Sequence, residues 1–284
     1  MRALLIAIAV ATLAIFTNNP AVAQGILASQ LKNLYVSWEK SLEAGEGQKV
    51  RREAESALNS SGQQVSPVNY NEMHAKVALL GYAAKGAVLE GDWPRAASLL
   101  AQASSTAQLN YATASETLGS LLKQHETKIS EWRELIRPHE EQLDRLKTLP
   151  GLRSDQIKQY GELETFINEH QNAIAASGQA IKDIGDILLL LRTEDETCSR
   201  SLNEWNGLLT QERAEIQGFG SSQRYVTEKL AQVIGQSGDK SRFERVSYAR
   251  RLVTLDPTNE QARRHLNSLL GIKTPEPSKP PAKK

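Results

Sequence analysis

The chain has 284 residues, of which 34 are Lys or Arg, 33 are Asp or Glu and one is cysteine, and 40% are hydrophobic. The apolar fraction is too high for a disordered protein, and one cysteine is too few for a disulfide scaffold. Balanced charge excludes a nucleic-acid binder recruited by bulk positive charge. The composition therefore predicts a folded protein without nucleic-acid partners, and it does not indicate a specific activity.

The first residues have the pattern of a secretory signal peptide. Arg2 supplies a charged start, residues 3–16 form an uncharged and largely apolar run, and Ala21-Val22-Ala23 is a small-x-small sequence that signal peptidase accepts. The run is shorter than the roughly 20 residues needed to span a bilayer, so an uncleaved anchor is the weaker alternative. We expect cleavage after Ala23 and a periplasmic or secreted protein that is not an integral membrane protein.

Removal of residues 1–23 leaves 261 residues with unevenly distributed charge. The formal charge changes from +1 to 0 with the loss of Arg2. Residues 273–284 carry four lysines and one glutamate, a charge of +3, so residues 24–272 carry −3. Four prolines in this tail predict an extended, disordered segment. Its lysines could contact anionic lipid or wall polymer, and a simply solvated terminus is the alternative.

Apolar residues recur at intervals of three and four throughout, and no segment alternates as a strand would, so the fold class is predicted to be all-α. The predicted N-terminal elements are, in chain order, one or two helices over residues 24–58 with an interruption near Gly45 and Gly47, a loop over residues 59–70, and a helix over residues 71–90. The sequence Gly91-Asp92-Trp93-Pro94 then ends one helix and begins the next, because Gly favours the left-handed cap and Pro the first helical turn. These signals predict a helical hairpin.

Two fragments resemble the tetratricopeptide repeat family. In the first, Gly91-Asp92-Trp93 is followed by the small or apolar residues Ala96, Leu100 and Ala103. In the second, residues 248–257 (YARRLVTLDP) precede TNEQARRHLNSLL. The sequence departs from the family pattern at Ala84, Ala87 and Leu252. The resemblance implies helix-turn-helix packing and a protein-binding role. Independently of it, Trp38, Asp92 and Trp93 are candidate interaction residues, and core packing is the alternative for both tryptophans.

The middle of the chain has the spacing of a coiled coil that folds back on itself at Pro150-Gly151. The seam residues of the first arm are Leu118, Leu122, His125, Ile129, Trp132, Ile136, His139, Leu143 and Leu146; those of the second are Tyr160, Leu163, Ile167, His170, Ile174, Ser177, Ile181, Ile184, Leu188 and Leu191. Facing pairs have a nearly constant sum of residue numbers, as an antiparallel pair requires. Each arm of about 40 residues would extend roughly 60 Å.

The end of the second arm allows two interpretations. Thr193-Glu194-Asp195-Glu196 has the pattern of a capping box, which predicts a third helix in an up-down-up arrangement. Gly178 and Gly185 would let that helix approach closely. The seam spacing also continues through Cys198, Leu202, Trp205, Leu209, Glu212 and Ile216, so one helix of about 60 residues is the alternative. Within the first arm, Pro138 is expected to kink the helix.

No catalytic or metal site is predicted. The antiparallel register places His125 opposite Ser177, His139 opposite Leu163 and His170 opposite Trp132, so the seam histidines do not converge, and we expect no metal and no cofactor. Cys198 is expected to be a small buried hydrophobe, with an intermolecular disulfide as the alternative. Glu55-Ser56 resembles the start of the lytic transglycosylase motif, in which Glu is the catalytic acid. The glycine-rich remainder of that motif is absent.

The sequence thus predicts helical hairpins flanking a long antiparallel coiled coil. The predicted segments are a signal peptide (1–23), an N-terminal helical region (24–103), a coiled-coil bundle (104–235), a C-terminal helical hairpin (236–272) and a disordered tail (273–284). We expect a non-enzymatic scaffold or adaptor for an unidentified protein or cell-envelope partner. The alternatives are an enzyme that acts on cell-wall glycan, or its regulator, and a coiled-coil protein that assembles with itself as a homodimer.

Overall fold

The computed structural model describes residues 26–60, 70–235 and 240–272, which form eight helices and no strand, so the all-α prediction is confirmed for this part of the chain. The helices are α1 Ile26–Glu43, α2 Gly47–Ser60, α3 Tyr70–Leu89, α4 Trp93–Lys147, α5 Ser154–Phe219, α6 Ser222–Gly235, α7 Arg242–Leu255 and α8 Glu260–Leu270. The predicted signal peptide and the C-terminal tail lie outside the described residues. None of the described helices combines the length and apolar character that crossing a bilayer requires.

The described residues divide into two compact units. One, here called the body, contains the described residues up to Asn110 and from Glu194 onward; the other, here called the hairpin, is Tyr111–Thr193. Both α4 and α5 contribute to each unit. The units therefore do not coincide with the predicted segments, since the 103/104 boundary falls inside α4 and residues 194–235 belong to the body.

The core of the body surrounds helix α3. Every residue from Val77 to Leu89 is buried, which is typical of a helix enclosed on all sides. Small residues allow this enclosure: Gly47 of α2 meets Gly86 of α3 so closely that a Cβ added to Gly86 would lie 2.7 Å from the carbonyl oxygen of Gly47. The small-residue composition that predicted close packing thus brings two helix backbones into contact.

The turn at Gly91 links the N-terminal helices to α7. Gly91 has a φ of +77°, and a Cβ there would lie 2.6 Å from the backbone nitrogen of Arg251. One residue before Arg251, the guanidinium of Arg250 donates to the carbonyl oxygens of Leu89 at 3.1 Å and Gly45 at 2.9 Å. Helix α7 therefore satisfies backbone carbonyls at two helix ends, where intrahelical partners are lacking.

The hairpin is the predicted antiparallel pair of helices. All the predicted seam residues are buried or half-buried. Nδ1 of His125 lies 3.2 Å from Oγ of Ser177, which confirms the predicted pairing of these residues. The rings of His139 and His170 both pack against Phe166, at centroid distances of 4.6 and 4.2 Å. The seam histidines are therefore accommodated by packing and hydrogen bonding within the hairpin.

The predicted helix break at Thr193 is wrong, because α5 is continuous through this position. Oγ of Thr193 donates to the carbonyl oxygen of Leu189 at 2.8 Å, a bond made inside a helix, and so it does not cap a new one. The apolar spacing continues into Cys198 and Trp205, which are buried in the body core, and this burial outweighs the capping signal. A Cβ added to Gly178 or Gly185 would meet no atom within 4 Å, so no third helix packs there among the described residues. Pro138 lies inside α4, which continues past it.

Candidate functional site

The body contains a buried pair of ionisable groups on facing helices. Nδ1 of His74, on α3, and Oε1 of Glu194, on α5, lie 2.8 Å apart. The Glu194 side chain is only 1% exposed, and that of His74 is 22% exposed. Glu194 reaches the core because it lies three residues after Leu191 and four before Cys198, both buried. A buried carboxylate is costly unless paired, so this pair is the strongest candidate for a functional constellation in the body.

The cluster extends beyond the pair to groups without hydrogen-bond partners. Oε2 of Glu194 and the hydroxyl of Tyr35 are both buried, and neither has a partner among the described residues. Tyr35, on α1, stacks on Tyr82 at a centroid distance of 4.9 Å, and Trp38 tilts against both rings. Unsatisfied buried polar atoms are uncommon in folded proteins, so their proximity to an ion pair marks this region as chemically unusual.

Burial contributes to the shifted pKa of each of the ionisable groups of this region. It raises the pKa of Glu194, and His74 only partly offsets this effect. Burial alone would lower the pKa of His74, but the hydrogen bond and charge of Glu194 outweigh it and leave that pKa raised. Burial, reinforced by Glu194, also raises the pKa of Tyr35, and it raises the pKa of the Cys198 thiol to about 12.

The directions of these pKa shifts define what the cluster can do chemically. Raised pKa values at both His74 and Glu194 mean that the folded protein holds a proton on this pair more tightly than the unfolded chain does. The Cys198 thiol stays protonated at neutral pH and is a poor nucleophile, in agreement with its predicted role as a buried hydrophobe. Within the described residues no group of three or more His, Cys, Asp or Glu side chains is placed to hold a metal ion.

Comparison of the chain with protein families, with curated proteins and with solved structures finds no match. The tetratricopeptide resemblance therefore stays a prediction. The turn predicted at Gly91 lies between α3 and α4 in the body, with Gly91 at positive φ.

The predicted interaction residues occupy structural positions. Trp38 and Trp93 are 1% and 2% exposed, as the core-packing alternative requires. The indole of Trp38 donates to Glu53 at 2.7 Å, and that of Trp93 donates to the Ser247 hydroxyl at 3.4 Å. Asp92 is half-buried, and its carboxylate accepts a hydrogen bond from the backbone nitrogen of Arg95 at 3.3 Å, as a helix N-cap does. The two tryptophans are therefore core residues, and Asp92 caps the start of α4.

Glu55, the residue of the transglycosylase resemblance, is part of an ion pair. Its Oε1 accepts a hydrogen bond from the Arg95 guanidinium at 2.8 Å, which connects α2 to α4. The structure does not bring Glu55 together with His74 or Glu194. The resemblance to the transglycosylase motif therefore has no supporting geometry beyond the position of Glu55 in a helix.

Sequence reasoning missed a second buried pair, between Glu212 on α5 and Arg251 on α7. Their side chains form a bidentate ion pair with a shortest distance of 2.6 Å. The Arg251 guanidinium also donates to the Gly91 carbonyl at 3.2 Å and lies over the Trp93 ring. The sequence contained a signal for this pair. Glu212 occupies an apolar position of the continued seam spacing, and a charged residue at such a position predicts a buried partner of opposite charge.

Proposed function

We propose that this protein is a non-enzymatic helical scaffold or adaptor that binds a protein or cell-envelope partner. The observation that carries this proposal is the outer surface of the hairpin. Although its seam is covered by its own two helices, five large hydrophobic side chains remain exposed: Leu121, Leu135, Leu149, Ile157 and Leu189. Covering such side chains with another helix or an apolar partner would remove apolar surface from water, which is favourable.

The carboxylate singled out by the glycan-enzyme alternative is held in an ion pair. Glu55 is paired with Arg95, and Glu212, on α5, is neutralised by Arg251. A glycosidase needs two carboxyl groups flanking a substrate, one of them free to donate a proton. The pairing of Glu55 therefore gives no support to the glycan-enzyme alternative.

Site-specific photo-crosslinking in cells tests the binding role. A photoreactive residue at Ile157, which is 58% exposed, or at Leu189, which is 64% exposed, should produce discrete adducts. The same residue at Gln179, an exposed polar position of the same helix, is the matched control and should give none. Adduct masses identify the partner and separate it from a second copy of this chain. Absence of adducts from both hydrophobic positions would contradict the proposal.

We also propose that the protein is exported, on the basis of residues 1–23. N-terminal sequencing of protein from the periplasm or medium should begin at Gln24. Ala21→Arg places a large charged side chain at the third residue before the expected cleavage site and should leave the precursor uncleaved. Uncleaved wild-type protein in the cytoplasm would overturn export without affecting the binding proposal.

A further inference from the structure

The two flanks of the hairpin differ in character. One hydrogen bond, from Nε2 of Gln171 to Oε1 of Glu140 at 3.1 Å, shows that the residues directly following seam residues His139 and His170 share one flank. Equivalent positions on the two helices are Gly119, Glu126, Arg133 and Lys147, and Glu164, Gly178, Gly185 and Arg192. This flank is polar or lacks side chains, and we call it the polar flank.

The opposite flank is apolar. It consists of residues that directly precede the alternate seam residues: Leu121, Lys128, Leu135 and Gln142 on α4, continued by Leu149 just past its end, and Gln159, Phe166, Ala173, Ala180 and Ile187 on α5. Leu121, Leu135 and Leu149 are 40%, 47% and 43% exposed; on α5 Gln159 is exposed and the four apolar residues are half-buried. Residues fourteen apart return to the same face of a coiled-coil helix, so Leu121 and Leu135 lie in one column. Leu149 follows this column in the turn after α4, where its backbone nitrogen donates to the carbonyl oxygen of Leu146 at 3.3 Å. We call this surface the leucine flank.

The order of residues in this column shows which partner fits it. Read from either end, it is Leu, polar, Leu, polar, Leu, with Leu135 at the centre. If a second copy packs antiparallel about Leu135, leucine meets leucine throughout and Lys128 meets Gln142. In a parallel arrangement Lys128 would meet Lys128. Leucine meets leucine in both orientations, but only the antiparallel one avoids placing Lys128 against Lys128.

The neighbouring charged residues agree with this orientation. Next to the column on α4 lie Gln124, Glu131, Pro138 and Arg145, all exposed. An antiparallel pair places Gln124 near Arg145 and Glu131 near Pro138. A parallel pair instead places Glu131 against Glu131 and Arg145 against Arg145. Like charges directly opposite each other are unfavourable, and charges flanking a helix interface select its orientation.

We infer that the leucine flank binds a second copy of this chain, with the two α4 helices antiparallel across a twofold axis at Leu135. Two hairpins joined in this way form an antiparallel four-helix bundle. The inference deepens the proposed binding function by assigning an occupant to one surface, and it leaves Ile157 and Leu189 available to another partner. The two can fail separately, because a monomeric protein could still give adducts at those residues.

Sedimentation equilibrium of the purified protein tests self-association. The wild type should be a dimer, and Leu135→Glu should weaken dimerisation by about 100-fold, because two glutamates meet on the axis. Leu189→Glu, an exposed leucine of the same hairpin outside the flank, is the control and should remain dimeric. Mixing Leu135→Glu with Leu135→Lys should restore a dimer, which shows that each variant is folded. A wild type that is monomeric at about 100 µM overturns the inference.

Cysteine crosslinking tests the orientation. Cys198 is buried, so the wild type should not crosslink on mild oxidation. Leu135→Cys should form an intermolecular disulfide, because its Cβ atoms approach to about 4 Å across the axis. Lys128→Cys should not crosslink with itself, since antiparallel copies of residue 128 lie roughly 21 Å apart, but it should crosslink when mixed with Gln142→Cys. Self-crosslinking of Lys128→Cys would establish a parallel pair and overturn the proposed geometry.

Discussion

The Glu194 side chain is buried, and His74 is its hydrogen-bond partner. The pKa of Glu194 is raised above 4.5 by burial, and that of His74 is raised above 6.5 by Glu194, despite burial. Each group therefore stabilises the folded state when protonated. That stabilisation is complete below the ordinary pKa of each group and is lost as pH rises through the folded value. The pair thus makes the body less stable as pH rises from about 4.5 through 6.5 and beyond.

Glu194→Gln should reverse the sign of this pH dependence of stability. Without the carboxylate, burial alone acts on His74 and lowers its pKa, so the free energy of unfolding should rise with pH near 6.5 instead of falling. Denaturant unfolding, followed by tryptophan fluorescence at several pH values from 5 to 8, measures this slope. Glu228→Gln, at an exposed position of the body, is the control and should retain the wild-type slope. Equal slopes for Glu194→Gln and the wild type would contradict the assignment.

The buried pair of Glu212 and Arg251 gives a second prediction at this scale. Arg251→Met removes the guanidinium and leaves the Glu212 carboxylate buried without its partner, which should destabilise the protein by about 3–5 kcal/mol. The double variant Glu212→Leu with Arg251→Met should recover much of that loss, because no uncompensated charge remains. Denaturant midpoints of the two variants and the wild type measure the difference. A double variant less stable than the single one would contradict this interpretation.

At the scale of helices, glycine acts differently in the two units. Gly86 lets α3 approach α2 so closely that no methyl group fits between them, whereas a Cβ added to Gly178 of the hairpin would meet nothing within 4 Å. Gly86→Ala should therefore destabilise the body, because the new methyl group would overlap the backbone of α2. Gly178→Ala should stabilise the hairpin by roughly 0.5–1 kcal/mol through helix propensity alone. Thermal unfolding of both variants measures these opposite effects as changes in Tm. Changes of the same sign in both variants would contradict this prediction.

Helix α5 shows why a local signal fails when tertiary packing opposes it. The residues at Thr193 match a capping box, yet α5 continues because Leu191, Cys198 and Trp205 are buried on the same helix. Asp195→Pro should therefore cost about 3 kcal/mol or more, as expected in a helix interior. The matched control is Ser154→Pro at the first residue of α5, where proline should be tolerated. A near-neutral Asp195→Pro in denaturant unfolding would restore the capping interpretation.

For the whole molecule, the sequence is most informative where a long periodic pattern decides the structure. The seam spacing predicts the hairpin and the pairing of His125 with Ser177, and the turn residues predict the helix end at Gly91. The pairing of His74 with Glu194 joins residues 120 positions apart, and no local pattern indicates which helix faces which. The candidate site could therefore not be predicted, because it depends on the packing of the body.

Helix α4 belongs to both units, and its two parts should differ in stability. In the body, Trp93, Ala96, Leu99, Ala103 and Ala107 are all buried, whereas many residues of the hairpin part are exposed. Because local opening exposes less apolar surface in the hairpin, its amides should exchange faster. Hydrogen exchange should therefore show roughly 10–100-fold less protection for residues 122–139 than for residues 96–107.

The measurement should use Leu135→Glu, so that self-association does not shield the hairpin. Helix α5 provides an internal control, because residues 198–212 lie in the body and residues 170–184 in the hairpin. The same ordering is expected there, with slower exchange around Trp205 than around Ile174. If protection is uniform along both helices, the two units open as a single cooperative structure, and the division of the chain into a body and a hairpin has no energetic counterpart.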